Sequence, residues 1–363
     1  MPPTPLFKVL SFDGGGVRGL SSLLILERIM EHIQKSENLS AMPKPCQVFD
    51  LIGGTSTGGI IAIMLGRLEM PIDQCIRAYK KFAETAFTEK RRMGISRSPS
   101  GAFSAKSLEK AIKQVIRENC ILCASMEQRK ISMSTADTCS HEDMPFSNPS
   151  CTKTAVLAIT KDNVETLPTL FKTYDAPVNL SECKVWEVAR ATSASTTFFK
   201  PIKLGRDEME FIDAGFGYNN PCERLIAEAR EHCQGRPILT LSIGTGLGDV
   251  VEVGKTKNSI IKALKEMATT SKTTALRLVE NYGGTGLYYR FNVENGLKDI
   301  TLSDWKLASK ISSHTNNYLQ ERNDVIQRFI SAMRMGNISQ VSRFQPELEG
   351  NPQTWMRPAE LEA

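Results

Sequence analysis

The sequence is short of the features that define several large protein classes. No stretch reaches the roughly 18 uninterrupted apolar residues of a membrane-spanning helix. The best window, Val48 to Leu65, is broken by Asp50 and a Thr/Ser/Gly-rich centre. The first residues, Met1-Pro2-Pro3-Thr4-Pro5, lack the basic and then apolar regions of a secretory leader. Excess charge is scarce: 45 Lys and Arg face 40 Asp and Glu, leaving +5 over 363 residues, too little for a generic nucleic-acid binder. Histidine occurs only four times, so few imidazoles are available as catalytic bases. Cysteine is not scarce, but nine scattered residues make no paired disulfide framework and point to a reducing, cytoplasmic compartment.

What is present describes a folded chain. Hydrophobic residues make up 41% and charged residues 23%, the balance of a globular protein rather than a disordered one. No internal repeat is visible. Leu6 to Phe12 is an apolar strand pattern that ends in glycines, and Leu23, Leu26, Met30 and Ile33 mark one face of a following helix. Val48 to Ile52 reads as a second buried strand and Ile60 to Leu65 as a second helix. Later strand patterns fall at 155–160, 169–174, 238–243 and 287–293, and helical ones at 107–117, 186–191, 221–231, 260–279 and 324–335. Alternating strands and helices with short glycine-rich joints predict an α/β fold: a mainly parallel central sheet covered by helices on both faces, three layers in all. The expected division is one domain over 6–345, motif-bearing to about 250 and helical from 251, then a linker-like or disordered tail at 346–363. Residues 125–154 are rich in Ser, Thr and Cys and read as an irregular surface loop.

Two glycine-rich turns carry the chemistry. The first is Asp13-Gly14-Gly15-Gly16-Val17-Arg18-Gly19, between a strand and a helix. Consecutive glycines let the backbone aim its N–H groups at one point, and the helix start adds positive potential, which suits an anion or a developing oxyanion. The spacing Gly14-x-Gly16-x-x-Gly19 also matches a dinucleotide fingerprint. That reading needs an acidic residue at the end of the next strand, whereas Glu37 falls in a polar loop and the next strand ends in another glycine turn. A phosphate loop at Gly254-Lys255-Thr256 fails because Asp249 stands where its first glycine belongs.

The second turn, Gly54-Thr55-Ser56-Thr57-Gly58-Gly59, has the G-x-S-x-G pattern of a nucleophile elbow. Small neighbours permit a sharp turn that lifts the serine hydroxyl clear of the sheet at a helix N-terminus. An idle serine in a tight turn fits the same letters. Two such turns on successive strand ends are more specific, since one could supply a nucleophile and the other its oxyanion donors.

A serine hydroxyl needs a base. Ser56, Asp213 and His232 follow the chain order of an α/β-hydrolase triad, although His232 ends a helix pattern in a polar stretch. Of the remaining histidines, His32 lies on the first helix, His141 in the irregular loop and His314 in the late C-terminal region, and each reads as a surface or core residue. Asp213 closes the short strand Phe211-Ile212-Asp213 before Ala214-Gly215, and could itself serve as base in a partly desolvated site.

Taken together, Asp-Gly-Gly-Gly-x-Arg-Gly at 13–19, Gly-x-Ser-x-Gly at 54–58 and Asp-Ala-Gly at 213–215 resemble the patatin-like phospholipases. The resemblance extends to Ala189–Ser195, Phe198–Pro201, Asn219-Asn220-Pro221 and Leu241–Gly246, in order over residues 6 to 250. It implies a lipid acyl hydrolase with a Ser–Asp dyad: Ser56 as nucleophile, Asp213 as base, and the N–H groups of Gly14, Gly15 and Gly16 as oxyanion hole. Gly54, Gly58 and Gly215 would support the turns, and Arg18 would either fix its loop or face a phosphate. No cofactor is implied. Neutral-lipid lipase, transacylase, or the effector domain of a larger signalling or immunity protein are the alternatives. Ala214 and Ser195 depart from the commoner glycine and alanine.

Weaker signals remain. Cys120, Cys123, Cys139 and His141 form a zinc-like set, but their spacing favours ordinary core or loop cysteines. The modest total charge hides two concentrated stretches. Arg77–Arg97 holds seven basic residues against two acidic, and Lys255–Arg277 six against one, so each nets +5 and the rest of the chain sums to −5. The first is interleaved with Tyr79, Phe82, Phe87, Met93 and Ile95, which suits peripheral binding to an anionic phospholipid surface and equally a solvated helix face. Ser96–Phe103 has the composition of a flap, and the second stretch carries a core-facing stripe of Ile260, Leu264 and Met267.

Overall fold

In a computed structural model the described residues are 5–88, 103–119, 140–196, 198–246 and 258–334, the side chains of 140 and 258–264 excepted. All of the 90–97 basic cluster, nearly all of the flap, Cys120, Cys123, Cys139, Lys255 and the tail therefore lie outside the description. The chain begins with strand β1 (Phe7–Phe12) and passes through a 3-10 turn at Gly16–Arg18 into helix α1 (Gly19–Ser36). A helical turn α2 (Pro45–Val48) leads to β2 (Leu51–Thr55), then α3 (Thr57–Ala62), a π-helical turn (Ile63–Arg67), α4 (Ile72–Ala86) and α5 (Ala105–Glu118). Next come β3 (Lys153–Thr160), β4 (Thr169–Lys172), α6 (Val185–Thr192), β5 (Ile202–Leu204), β6 (Met209–Asp213) and the turn α7 (Gly215–Tyr218). The remainder is α8 (Cys222–His232), β7 (Ile238–Ile243), α9 (Asn258–Tyr282), β8 (Tyr288–Phe291), α10 (Ala308–Glu321) and α11 (Asn323–Arg334).

The strands form one eight-stranded sheet ordered β5-β6-β3-β2-β1-β7-β8, with β4 also paired to β3. The five strands from β3 to β8 in that order are parallel, while on the other flank β4 and β6 run antiparallel to β3 and β5 pairs antiparallel with β6. Strand residues alternate between the two faces, as a period of two requires. Leu10, Phe12 and Ile52 join the core formed with Leu23, Leu26 and Ile29 of α1, whereas Phe7, Val9 and Leu51 face Leu225 and Ala229 of α8. Both faces are thus covered, which is why the parallel strands read as continuous apolar runs. The mainly parallel, three-layer α/β architecture expected from the sequence is the one observed.

Some local expectations shift. The second strand begins at Leu51 rather than Val48, because Pro45 opens a helical turn that Gln47 caps by accepting from the Lys44 N–H at 2.8 Å. Asp50 then accepts from the Lys8 N–H at 2.8 Å, tying the strand entry to β1. The basic segment from Arg77 is half helix α4, which buries Tyr79, Phe82 and Ala83 and leaves Arg77, Lys80 and Lys81 exposed. Helix α10 went unread in the sequence.

Candidate active site

Strand register brings the two glycine turns together. Phe12 of β1 lies beside Gly54 of β2, so Asp13-Gly14 and Thr55-Ser56 leave the same edge of the sheet side by side. Thr55 pairs with Leu157 on β3, and Asp213 enters antiparallel opposite Ala158. Three strand ends therefore deliver Gly14, Ser56 and Asp213 to one point, at the carboxyl edge where α/β sheets place their sites.

Ser56 has φ 56° and ψ −128°, a conformation that costs a non-glycine residue energy and lifts its side chain off the strand. Its N–H donates to Thr192 Oγ1 at 2.8 Å, and that hydroxyl donates onward to the Leu157 carbonyl at 2.7 Å. Small residues are needed around the turn. A Cβ on Gly58 would run into the carbonyls of Phe12 and Asp13, and one on Gly54 into Gly58 itself. α3 starts at the next residue, so its positive end faces the serine.

Ser56 Oγ donates to Asp213 Oδ2 at 2.7 Å. The other carboxylate oxygen accepts the Gly215 N–H at 2.8 Å. Ser56 is 8% exposed and Asp213 2%. Desolvation pushes the Asp213 pKa up to about 7, against the opposing pull of the two hydrogen bonds. A narrow cleft of about 20 Å³ opens over the pair, walled by Phe82, Phe87, Phe198, Phe199, Met267 and Leu302. No histidine lines it. His232 lies elsewhere, bonded to Glu228 at 3.1 Å and set edge-on against Tyr174. His32 meets Gln327, and His314 packs against Gly296.

The Asp13–Gly19 turn is held from several sides. Asp13 forms a buried, two-pronged ion pair with Arg290, at 2.6 and 3.1 Å. Burial raises the Asp13 pKa, the facing Arg290 guanidinium opposes that shift, and the carboxylate in turn holds the guanidinium charged. Arg18 is 2% exposed and gives its guanidinium to the carbonyls of Ile300 and Gly246. Burial lowers its pKa to about 10. Arg18 thus ties its loop to two backbone carbonyls, and it is not among the residues that line the cleft. Tyr79 OH donates to the Gly16 carbonyl, and Asn219 Nδ2 and Thr245 Oγ1 both donate to that of Gly14. The Gly14 N–H donates to Asn219 O at 3.0 Å, and the Gly15 N–H to Thr57 Oγ1 at 3.2 Å.

The family model described as "Patatin-like phospholipase" matches residues 10–226, well over half of the chain and all of this constellation's Ser56 and Asp213 region. The chain belongs to the patatin-like phospholipase family. Calcium-independent phospholipase A2-gamma from Mus musculus is 28% identical over 355 residues, covering 88% of this chain and 42% of that protein. Patatin-like protein 2 from Arabidopsis thaliana is 28% identical over 274 residues, covering 68% of this chain and 61% of its own length. The chain thus spans less than two thirds of either relative. Among solved structures, VipD from Legionella pneumophila aligns with a TM-score of 0.43 at 10% identity, covering 88% of this chain and 68% of that one.

Within this patatin-like chain the sequence-predicted residues Ser56, Asp213, Gly14, Gly15, Gly16, Gly54, Gly58 and Gly215 all converge on the one site. Arg18 stands directly behind it. His232 does not come near. Sequence reasoning missed Tyr79, Arg290, Met267 and Leu302. Tyr79 and Met267 read only as a surface-stretch aromatic and a core-stripe residue, and Arg290 left a trace as a lone cation inside the apolar strand pattern Tyr288–Phe291.

Proposed function

We propose that the protein is a lipid acyl hydrolase of phospholipase A type, acting on acyl esters of phospholipids or lysophospholipids. The observation that carries this is the 2.7 Å bond between the strained Ser56 and a buried, proton-affine Asp213, beneath a phenylalanine-walled cleft. In this reading Ser56 Oγ attacks the acyl carbonyl while Asp213 Oδ2 takes its proton. The tetrahedral oxyanion is received by backbone N–H groups. Gly14 is expected to contribute less than the sequence suggested, because its N–H is committed to a buried carbonyl. The role passes to Gly15, whose N–H is held only by a rotatable hydroxyl, and to Gly16 at the cleft wall. Protonated Asp213 then gives its proton to the departing glycerol oxygen. Water, deprotonated by the same carboxylate, attacks the acyl-Ser56 ester; the C–Oγ bond breaks, the fatty acid leaves and Asp213 returns the proton to Ser56 Oγ. The acyl chain enters by parting Phe87, Phe198 and Phe199, whose burial among apolar neighbours matches a hydrocarbon ligand.

No helix among the described residues is long and apolar enough to cross a membrane. We infer that the protein meets its substrate peripherally, at a cytoplasmic bilayer surface. The name of the mouse relative supports phospholipid over neutral lipid as substrate. The test is fatty-acid release from defined phospholipid vesicles in EDTA by wild type, Ser56→Ala, Asp213→Asn and His232→Ala. The first two variants are expected to lose about a thousandfold or more in rate, and the third to keep it. A folded but dead His232→Ala protein overturns the dyad.

A further inference from the structure

Away from the catalytic cleft, a second and larger concavity of about 460 Å³ lies between α4 and the 3-10 turn Trp305–Leu307. Its floor is apolar, with Val17 and Leu20 at its base, and its rim is cationic: Arg77, Lys80, Lys81 and Lys306 against the single carboxylate of Glu84. We propose that this groove binds the phosphate headgroup of an anionic membrane phospholipid, as a subsite separate from the Ser56 cleft.

The charges on the rim are available for a ligand. Arg77 and Lys81 pair with Asp73 at 2.8 Å and Glu118 at 2.6 Å, but all four side chains are well exposed. Such pairs are worth little in water and exchange readily for a phosphate. Lys80 and Lys306 form no ion pair among the described residues. Lys306 stands 5.7 Å from the Trp305 ring centroid, and Trp305 is half-buried at the mouth. An indole between an apolar floor and a cationic rim is the side chain favoured at the bilayer interface. The lining cations outnumber the lining carboxylate, and with Asp73 and Glu118 displaced from Arg77 and Lys81 they favour an anion over an acyl chain. The free space suits a glycerophosphate headgroup resting its carbons on Val17 and Leu20.

Position makes the groove useful. Val17 follows directly on Gly16, which lines the catalytic cleft, and Leu20 lies one helical turn further on, so one short segment separates the two concavities. Tyr79, from the groove side, donates to the Gly16 carbonyl. A bilayer held at the groove therefore lies beside the turn that faces the substrate carbonyl.

The inference takes its membrane from the acyl-hydrolase reading, so the test separates the two. In a Ser56→Ala background, partition is measured onto phosphatidylcholine vesicles with and without phosphatidylglycerol. Lys80→Glu/Lys306→Glu is expected to lose at least about 30-fold on the anionic vesicles, the worth of two surface lysines before repulsion by the two new carboxylates, and to be unchanged on neutral ones. Lys203→Glu/Arg206→Glu, on the far flank of the sheet, is expected to keep full partition. Unchanged binding of the first variant, or equal loss in the second, overturns the groove. So does a wild type stabilised by inorganic phosphate with no vesicle effect, which would assign a free anion instead. Hydrolysis of a monomeric short-chain ester, measured with Ser56 intact, reports on the chemistry alone. If wild type cleaves it and vesicle binding ignores the lysines, only the groove fails; if wild type does not cleave it, the hydrolase reading fails.

Discussion

At the scale of single residues, the unusual quantity is the proton affinity of Asp213. A carboxylate is a weak base by default, and burial raises it to about 7. Two consequences follow with definite signs. Because the ionised form must accept the Ser56 proton, kcat/KM for a soluble ester is expected to rise with pH through about 7 and then level off. A profile flat from pH 5 to 9 would rule out Asp213 as base. Stability moves the other way. The folded pKa lies above the unfolded value of 3.8, so folding is favoured below about pH 4 and that contribution is lost as pH climbs to 7. Asp213→Asn keeps an acceptor for Gly215 N–H and a polar partner for Ser56 but has no charge to bury. Its melting temperature is therefore expected to exceed wild type at pH 8 and converge with it at pH 4, by a free energy on the order of 2–4 kcal/mol at the higher pH. Urea melts at the two pH values check this.

At the scale of elements, the β2–α3 elbow shows how far a sequence pattern carries. Its glycines were legible because each is forced by a close approach: Gly58 lies against the carbonyls that end β1, and Gly59 against Thr192. Gly58→Ala is expected to push β1 and β2 apart, costing about 1–3 kcal/mol and most of the esterase rate, since Gly14 and Ser56 separate together. Normal activity in a soluble Gly58→Ala protein would show that the elbow tolerates a methyl group. Apolar strands were legible for a similar reason, being buried on both faces. Helix α10 was not, because only Ile311, Thr315 and Leu319 of its fourteen residues are buried. A narrow stripe among Ser, Thr and Asn leaves almost no periodic signal. Helix α4 was masked by its charges, which sit on the face opposite Tyr79 and Phe82.

At the scale of the whole molecule, the site depends on chain well beyond the part that carries its motifs. The family match ends at residue 226, yet Asp13 pairs with Arg290, Arg18 donates to Gly246 and Ile300, and Val17 N–H donates to Leu302. These partners lie far along the chain from the motif they support; Asp13 and Arg290 are 277 residues apart, so no local pattern could reveal them. The Ser56–Asp213 pair was found because both ends carry local signatures, whereas its scaffolding carries none. A chain ending at residue 257 keeps every predicted catalytic residue and loses α9, β8 and the 300–302 segment. Removing Arg290 alone leaves the buried Asp13 carboxyl without its partner, at about 3–5 kcal/mol. That approaches the whole stability of a typical domain, about 5–15 kcal/mol. The edge of β7 is uncovered as well, inviting aggregation. The truncated chain is accordingly expected to be insoluble or inactive toward a short-chain ester at concentrations where wild type is active. If it is instead soluble and hydrolyses the ester at the wild-type rate, the oxyanion turn is self-supporting and the C-terminal third serves some purpose other than holding it.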